Sequence, residues 1–177
     1  MRGVILYGPP AAGKDTITRT LTETDPAFRL FRRLKAGPGR TAGYRMATVD
    51  RLQHLRSRGD VVWENDRYGA RYVVDRPALR NDLTDHVPVV HLGQAEAVEA
   101  VRSAIEGARW LTVYVWCPRP LAQHRIEARA TGDTSDRLRA WDETPPLPGA
   151  DLSINTAEVS PAEAARLIRE RLERVAA

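Results

Sequence analysis

The stretch VILYGPPAAGKDT, residues 4–16, decides how the chain is read. Four consecutive apolar residues, Val4 to Tyr7, stop at a Gly-Pro-Pro turn, the pattern of a short strand buried on both faces of a parallel sheet. The helix that follows is expected to start near Lys14, with Ile17 and Leu21 four apart on one face and Pro26 near its end. A strand that turns into a helix through glycines leaves backbone N–H groups unpaired and aimed at one point, where the helix dipole also favours negative charge. Gly8, four residues, Gly13 and Lys14 are therefore spaced as a phosphate cradle. Gly8, Pro9, Pro10, Ala11, Ala12, Gly13, Lys14, Asp15 and Thr16 form the expected nucleotide-phosphate loop.

Asp15 stands where such loops carry a serine or threonine hydroxyl. A carboxylate suits a helix N-terminus but repels a triphosphate unless a cation lies between them. Three readings stay open: Asp15, with Thr16, holds Mg²⁺; it orients Lys14; or it is plain helix-start chemistry.

The bulk numbers frame this motif. At 177 residues, with 42% hydrophobic and 28% charged residues, the sequence reads as a single self-folding domain. Its longest later apolar run, Trp110 to Cys117, is too short to cross a bilayer, and the N-terminus carries no leader-like apolar region, so a cytoplasmic protein with no membrane partner is expected. The one cysteine, Cys117, reads as a buried thiol. The net charge is +4, and only two of the 27 basic residues are lysines, which makes Lys14 the more informative.

Strands are expected at Val61 to Trp63, Arg71 to Val74, Val87 to Leu92, Trp110 to Cys117 and Asp151 to Asn155. Helices are expected at about Thr48 to Arg58, Ala95 to Ile105, Leu121 to Ala130, Asp136 to Trp141 and Pro161 to Val175. Residues 29–44 read as a loop-dominated segment, Thr131 to Ser135 as a polar link, and Pro145, Pro146 and Pro148 as irregular chain. Strands alternating with helices imply an α/β fold with binding at the carboxyl ends of a parallel sheet.

Arg29, Arg32, Arg33, Lys35 and Arg40 crowd into twelve residues with almost no acid beside them. Such density repels itself unless an anion is bound, and the arginine fork suits phosphate oxygens. Arg125 and Arg129 share a helix face, and Arg137 follows across the polar link. Arginines on a hinged element could close over a transferring phosphoryl group. His54, His86, His91 and His124 show no ligand spacing, so no zinc site is expected. His91 alone ends a strand at the expected cleft, as an acceptor contact or as a structural histidine.

With these motifs the chain resembles the guanylate kinase superfamily, including ribose 1,5-bisphosphate phosphokinase. GKDT at 13–16 is similar to the bisphosphokinase branch, GYRMATVDRLQHLRSRGDVVWE at 43–64 to an acceptor-binding stretch, and LAQHRIEARATGDTSDRLRAWDE at 121–143 to an arginine-bearing lid. The resemblance implies a P-loop kinase domain over 1–177: a three-layer α/β/α fold with a parallel sheet, an acceptor-binding insertion at about 29–80 and a lid at about 129–145. It implies ATP and Mg²⁺ as cofactors, Asn155 near the adenine, Tyr44 and Tyr68 on the acceptor's phosphate, and Lys14, Arg125, Arg129 and Arg137 in catalysis. Arg32, Arg33, Arg40, Glu64 and His91 complete the expected acceptor site.

The chain also departs from that pattern. Ala70 follows Tyr68-Gly69 where the family has threonine, Trp63 stands opposite the guanine-reading glutamate with Glu64 one place off, and His91 replaces an aspartate. Guanine is therefore not implied as the acceptor base. The expected activity is transfer of the ATP γ-phosphoryl group to a small phosphate-bearing acceptor. The alternatives are a kinase of a metabolite or antibiotic hydroxyl and an inactive nucleotide-binding module. With no aromatic platform between the arginines, a nucleic-acid partner is not expected.

Overall fold

The computed structural model describes residues 1–130 and 132–176, with side chains as far as residue 174. Thr131, in the expected polar link, and the Val175 side chain lie outside the described residues.

The opening apolar run forms β1 (Arg2–Tyr7), which lies at the centre of a five-stranded parallel sheet. Its neighbours are β7 (Val87–Leu92) and β8 (Arg109–Trp116); β2 (Phe28–Leu30) and β9 (Leu152–Asn155) form the edges. Alternation splits β1 between two cores. Val4 and Leu6 pack with Ile17 and Leu21 of α1 (Lys14–Thr24) and with Ala164, Ile168 and Leu172 of α7 (Pro161–Ala176). Ile5 and Tyr7 face Leu79 and Leu83 of α3 (Arg76–Asp85) and Val98 and Val101 of α4 (Ala95–Ser103). Helices thus cover both faces, as an apolar parallel strand requires.

A second sheet, ordered β4-β3-β6-β5, lies beyond the carboxyl ends of the first. It comprises β3 (Leu34–Ala36), β4 (Arg45–Met46), β5 (Val61–Arg67) and β6 (Ala70–Asp75), with α2 (Val49–Ser57) packed on it through Leu52 and Leu55. β5 and β6 form an antiparallel hairpin whose two turn residues, Tyr68 and Gly69, have φ of 53° and 69°. Positive φ at both positions matches the twist of the strands it joins. From β8 the chain runs through α5 (Arg119–Glu127) and α6 (Thr134–Asp142) before returning as β9.

The stretch 29–44 is largely irregular, as expected, but it holds the end of β2 (Arg29, Leu30) and all of β3, in which Leu34 and Lys35 are buried. Its arginines masked a pattern in which only short runs are apolar. Residues 76–85, for which no element was expected, form α3. Its signal was present as Asp75-Arg76-Pro77, a capping acid followed by a proline in the first turn.

Asp75 joins the two sheets' supporting elements. Its carboxylate accepts from the Ala78 N–H at 3.3 Å, capping α3, and is ion-paired with Arg45 of β4. Asp75→Ala is expected to cost about 2–3 kcal/mol in urea denaturation, since it strands a partly exposed Arg45 and removes the cap. Asp75→Asn should cost less, because the amide oxygen keeps the cap. Equal stability of the alanine variant and the parent chain would contradict this account.

Candidate active site

A cavity of about 520 Å³ lies between the β1–α1 loop, the end of β7, the second sheet and α6. The loop reaches it because two positions lack side chains. At Gly8, with φ +154°, a Cβ would fall 1.9 Å from the Val115 carbonyl oxygen of β8. At Gly13, the residue before α1, φ is +102° and a Cβ would press on Thr156 at 3.2 Å. Each glycine lets the chain bend away from its neighbour and expose backbone to the cavity.

Gly8, Pro10, Ala11, Ala12, Gly13, Lys14 and Asp15 line the cavity from this loop. Arg33, Arg40, Tyr44 and Tyr68 face it from the second sheet and its loops, His91 from β7, and Arg129 and Arg137 from the α5–α6 segment. The remaining expected site residues do not line it. Pro9 contributes only a carbonyl, which accepts from Lys14. Thr16 lies half-buried in the first turn of α1. Arg32 is exposed and donates to the Tyr44 carbonyl. Glu64 faces away and binds the Arg56 guanidinium of α2 through both oxygens. Arg125 points beneath the loop, and the Asn155 side chain accepts from the Ala157 N–H.

Lys14 folds back onto its own loop. Its Nζ donates to the Gly8 carbonyl at 2.6 Å and the Pro9 carbonyl at 2.8 Å. Burial brings its pKa down to about 8, against the pull of Asp15. Asp15 lies between two cationic or donor groups: His91 Nδ1 is 3.4 Å from Oδ1, and Arg40 Nη1 is 3.6 Å from Oδ2. The contact from His91, then the charges of Arg40 and Lys14, hold its carboxyl well below the usual range. The other His91 nitrogen, Nε2, is 2.7 Å from the Thr18 hydroxyl. Burial lowers the His91 pKa. A neutral ring with its proton on Nδ1 satisfies both contacts, accepting from Thr18 and donating to Asp15.

Opposite the loop, the second sheet presents positive charge and phenols. Lys35 is 1% exposed, and its ammonium donates to the Arg40 carbonyl at 2.8 Å. Among the described residues it forms no ion pair. It lies 5.6 and 5.7 Å from the ring centres of Tyr44 and Tyr72, and Arg33 approaches the same rings at 6.0 and 5.2 Å. Burial without a carboxylate lowers the Lys35 pKa. Arg137 lies over the Tyr68 ring and binds Asp133, and Arg67 reaches Glu143, linking the hairpin to the α6 side.

Several cavity residues escaped the sequence reading: Asn65, Arg67, Tyr72 and Gln94 all line it. The signal for the first two was strand alternation. Extending β5 to Arg67 turns 65 and 67 inward and sends Glu64 and Asp66 outward to Arg56 and Arg71.

No protein family and no curated protein matches this sequence. Solved structures do share its fold. The guanylate kinase of Anaplasma phagocytophilum superposes with a TM-score of 0.63 at 14% identity, covering 97% of this chain and 84% of that one. The fold is guanylate-kinase-like. The crystal structure of APE1195 superposes with a TM-score of 0.55 at 17% identity, covering 98% of this chain and 96% of that one. Such low identities carry architecture and leave chemistry to the residues described above. No helix among the described residues is long and apolar enough to cross a membrane.

The Lys14 environment makes a direct prediction. Its labelling by an amine-reactive reagent, followed by mass spectrometry across a pH series, should show a midpoint near pH 8 in the folded chain. Because burial depresses the folded-state pKa, the unfolded chain binds this proton more tightly, and the site adds stability as pH rises from that midpoint toward the ordinary lysine value. A folded-state midpoint at the ordinary lysine value would contradict the placement of Nζ.

Proposed function

We propose that this chain is an ATP-dependent small-molecule kinase that transfers the γ-phosphoryl group of ATP to a phosphate-bearing acceptor. The observation that carries this reading is the pairing of two anion-seeking ends across one cavity. One end is the glycine loop with Lys14; the other is the buried ammonium of Lys35, with no ion pair among the described residues, beside Arg33 and the Tyr44 and Tyr72 rings. A buried cation with no counterion is costly, and an acceptor phosphate would supply that counterion. The kinase-like architecture supports the same reading.

In this reading the loop amides and Lys14 bind the β- and γ-phosphates, with Lys14 leaving the Gly8 and Pro9 carbonyls to do so. Lys35, Arg33 and the phenols seat the acceptor's phosphate. Arg129 and Arg137, which face the cavity from the α5–α6 segment, neutralise charge on the transferring group. Phosphoryl transfer needs little covalent help, so positioning and charge account for the rate. Adenine would lie toward Asn155, at the end of β9.

Magnesium fits this donor site in one way. Among the described residues no cluster of three histidine, cysteine or acidic side chains could hold a metal, and Thr16 does not line the cavity. Asp15 is the acid on the loop, so it would hold the ion jointly with phosphate oxygens. The ion would supply charge neutralisation across the β- and γ-phosphates.

The partners proposed are a small phosphorylated metabolite and ATP, with a cytoplasmic location and neither nucleic acid nor membrane. Incubation with Mg-ATP and a panel of GMP, AMP, dGMP and ribose 1,5-bisphosphate should release ADP with one acceptor. Lys14→Ala should lower that turnover by about a hundredfold or more. Lys35→Met should raise the acceptor KM about tenfold and leave ATP affinity unchanged, since the lost contact is to the acceptor alone. No ADP release with any phosphorylated acceptor, or an effect of Lys35→Met on ATP affinity alone, would contradict the proposal.

A further inference from the structure

Arg125 belongs by sequence to an arginine-bearing lid, yet its guanidinium lies on the far side of the phosphate loop from the cavity. Nη1 donates to the Ala11 carbonyl at 3.1 Å and to the Thr156 hydroxyl at 3.0 Å, and Nη2 donates to the Thr156 carbonyl at 3.2 Å. The Thr156 hydroxyl in turn donates to the Ala12 carbonyl at 2.8 Å, the shorter of its two carbonyl contacts. Two consecutive loop carbonyls are therefore tied down from beneath. Arg125 forms no ion pair among the described residues, so its charge remains under the loop.

We propose that Arg125 and Thr156 are positioning residues for the nucleotide's phosphates. They act through the backbone of Ala11, Ala12 and Gly13 and touch no ligand themselves. This rests on the donor-site reading given above. The physical reason lies in the peptide plane. Every peptide bond here is trans, so a carbonyl and the N–H that follows it point in opposite directions. Holding the Ala12 carbonyl down turns the Gly13 N–H toward the cavity that Gly13 lines. Gly13 has no side chain to fix its own plane, and its φ of +102° is one that glycine leaves freely. Without the Thr156 hydroxyl, the Ala12–Gly13 plane can rotate and offer a carbonyl oxygen, in place of a donor, to a polyanion.

The same contacts tie the two ends of the donor site together. Thr156 follows β9 directly, and its N–H donates to the Trp116 carbonyl at 2.9 Å. Arg125 bonds to both this segment and the loop. A nucleotide base seated by Asn155 and a triphosphate seated by the loop would thus rest on one braced unit.

The test uses the full chain, with calorimetric affinities for Mg-ATP and for inorganic tripolyphosphate and a thermal melt for each variant. Thr156→Val preserves shape and removes only the hydroxyl; Thr156→Ser restores it; Arg125→Lys keeps charge and removes the fork. Thr156→Val and Arg125→Lys are expected to weaken both ligands about tenfold, the effect of losing one oriented hydrogen bond. Thr156→Ser should stay within about threefold of the parent, and the Thr156→Val melting temperature within about 4 °C of it. If Thr156→Val binds tripolyphosphate as the parent does, the brace does not position the phosphates and the proposal falls, whatever happens to ATP. Equal loss in Thr156→Ser would also overturn it, since the hydroxyl would not be the cause. Should Arg125→Lys fail to fold, the two threonine variants decide. A parent chain that binds neither ligand would instead overturn the donor-site reading, and the brace with it.

Discussion

The turn from β1 into α1 creates a problem that the rest of the molecule is arranged around. A helix begins with N–H groups that have no partner inside it, and here that beginning lies at the carboxyl end of the central strand, buried from its second residue on. The chain cannot hide these donors in the sheet, because β7 and β8 already pair with both edges of β1. Lys14 adds a cation to the same place, and it satisfies itself on the loop's own carbonyls. Donors and a cation facing a cavity are what a polyanion would complete.

The second sheet poses the same problem from the opposite wall. Lys35 is buried and forms no ion pair among the described residues, and two phenol rings and a carbonyl share its solvation. The acids that could have neutralised this wall are engaged elsewhere: Glu64 with Arg56, Asp66 with Arg71, Asp75 with Arg45. Asp15 stands between the two positive regions, with its carboxylate held by His91 and faced by Arg40. His91 at the end of β7 and Asp15 on the loop thus form one arrangement, the histidine lying against the acid that the loop carries.

Much of this architecture was legible in the sequence, for reasons that can be traced. The glycine spacing, the apolar tetrad of β1 and the β-branched run of β8 are local signals, and local signals fix local structure. The loop, His91 and the arginines at 129 and 137 accordingly reach the cavity. What the sequence hid depends on contacts between distant segments. Lys35 reads as one more charge in a basic run until β3 pairs with β6 and buries it. Glu64 entered the expected site through the family resemblance, whereas the strand's alternation turns Asn65 to the cavity and Glu64 to Arg56. Arg125 shares a helix face with Arg129 by spacing alone, yet α5 carries it under the loop, where the carbonyls of Ala11 and Thr156 capture it.

The central claim is that the β1–α1 loop holds a triphosphate through its amides and Lys14. A crystal structure with a non-hydrolysable ATP analogue and magnesium tests it most directly. The account predicts phosphate oxygens within hydrogen-bond distance of the N–H groups of residues 12–16, with Lys14 Nζ moved off the Gly8 and Pro9 carbonyls onto the β- and γ-phosphates. Analogue bound elsewhere, or Lys14 still closed on its own loop with the analogue present, would contradict it.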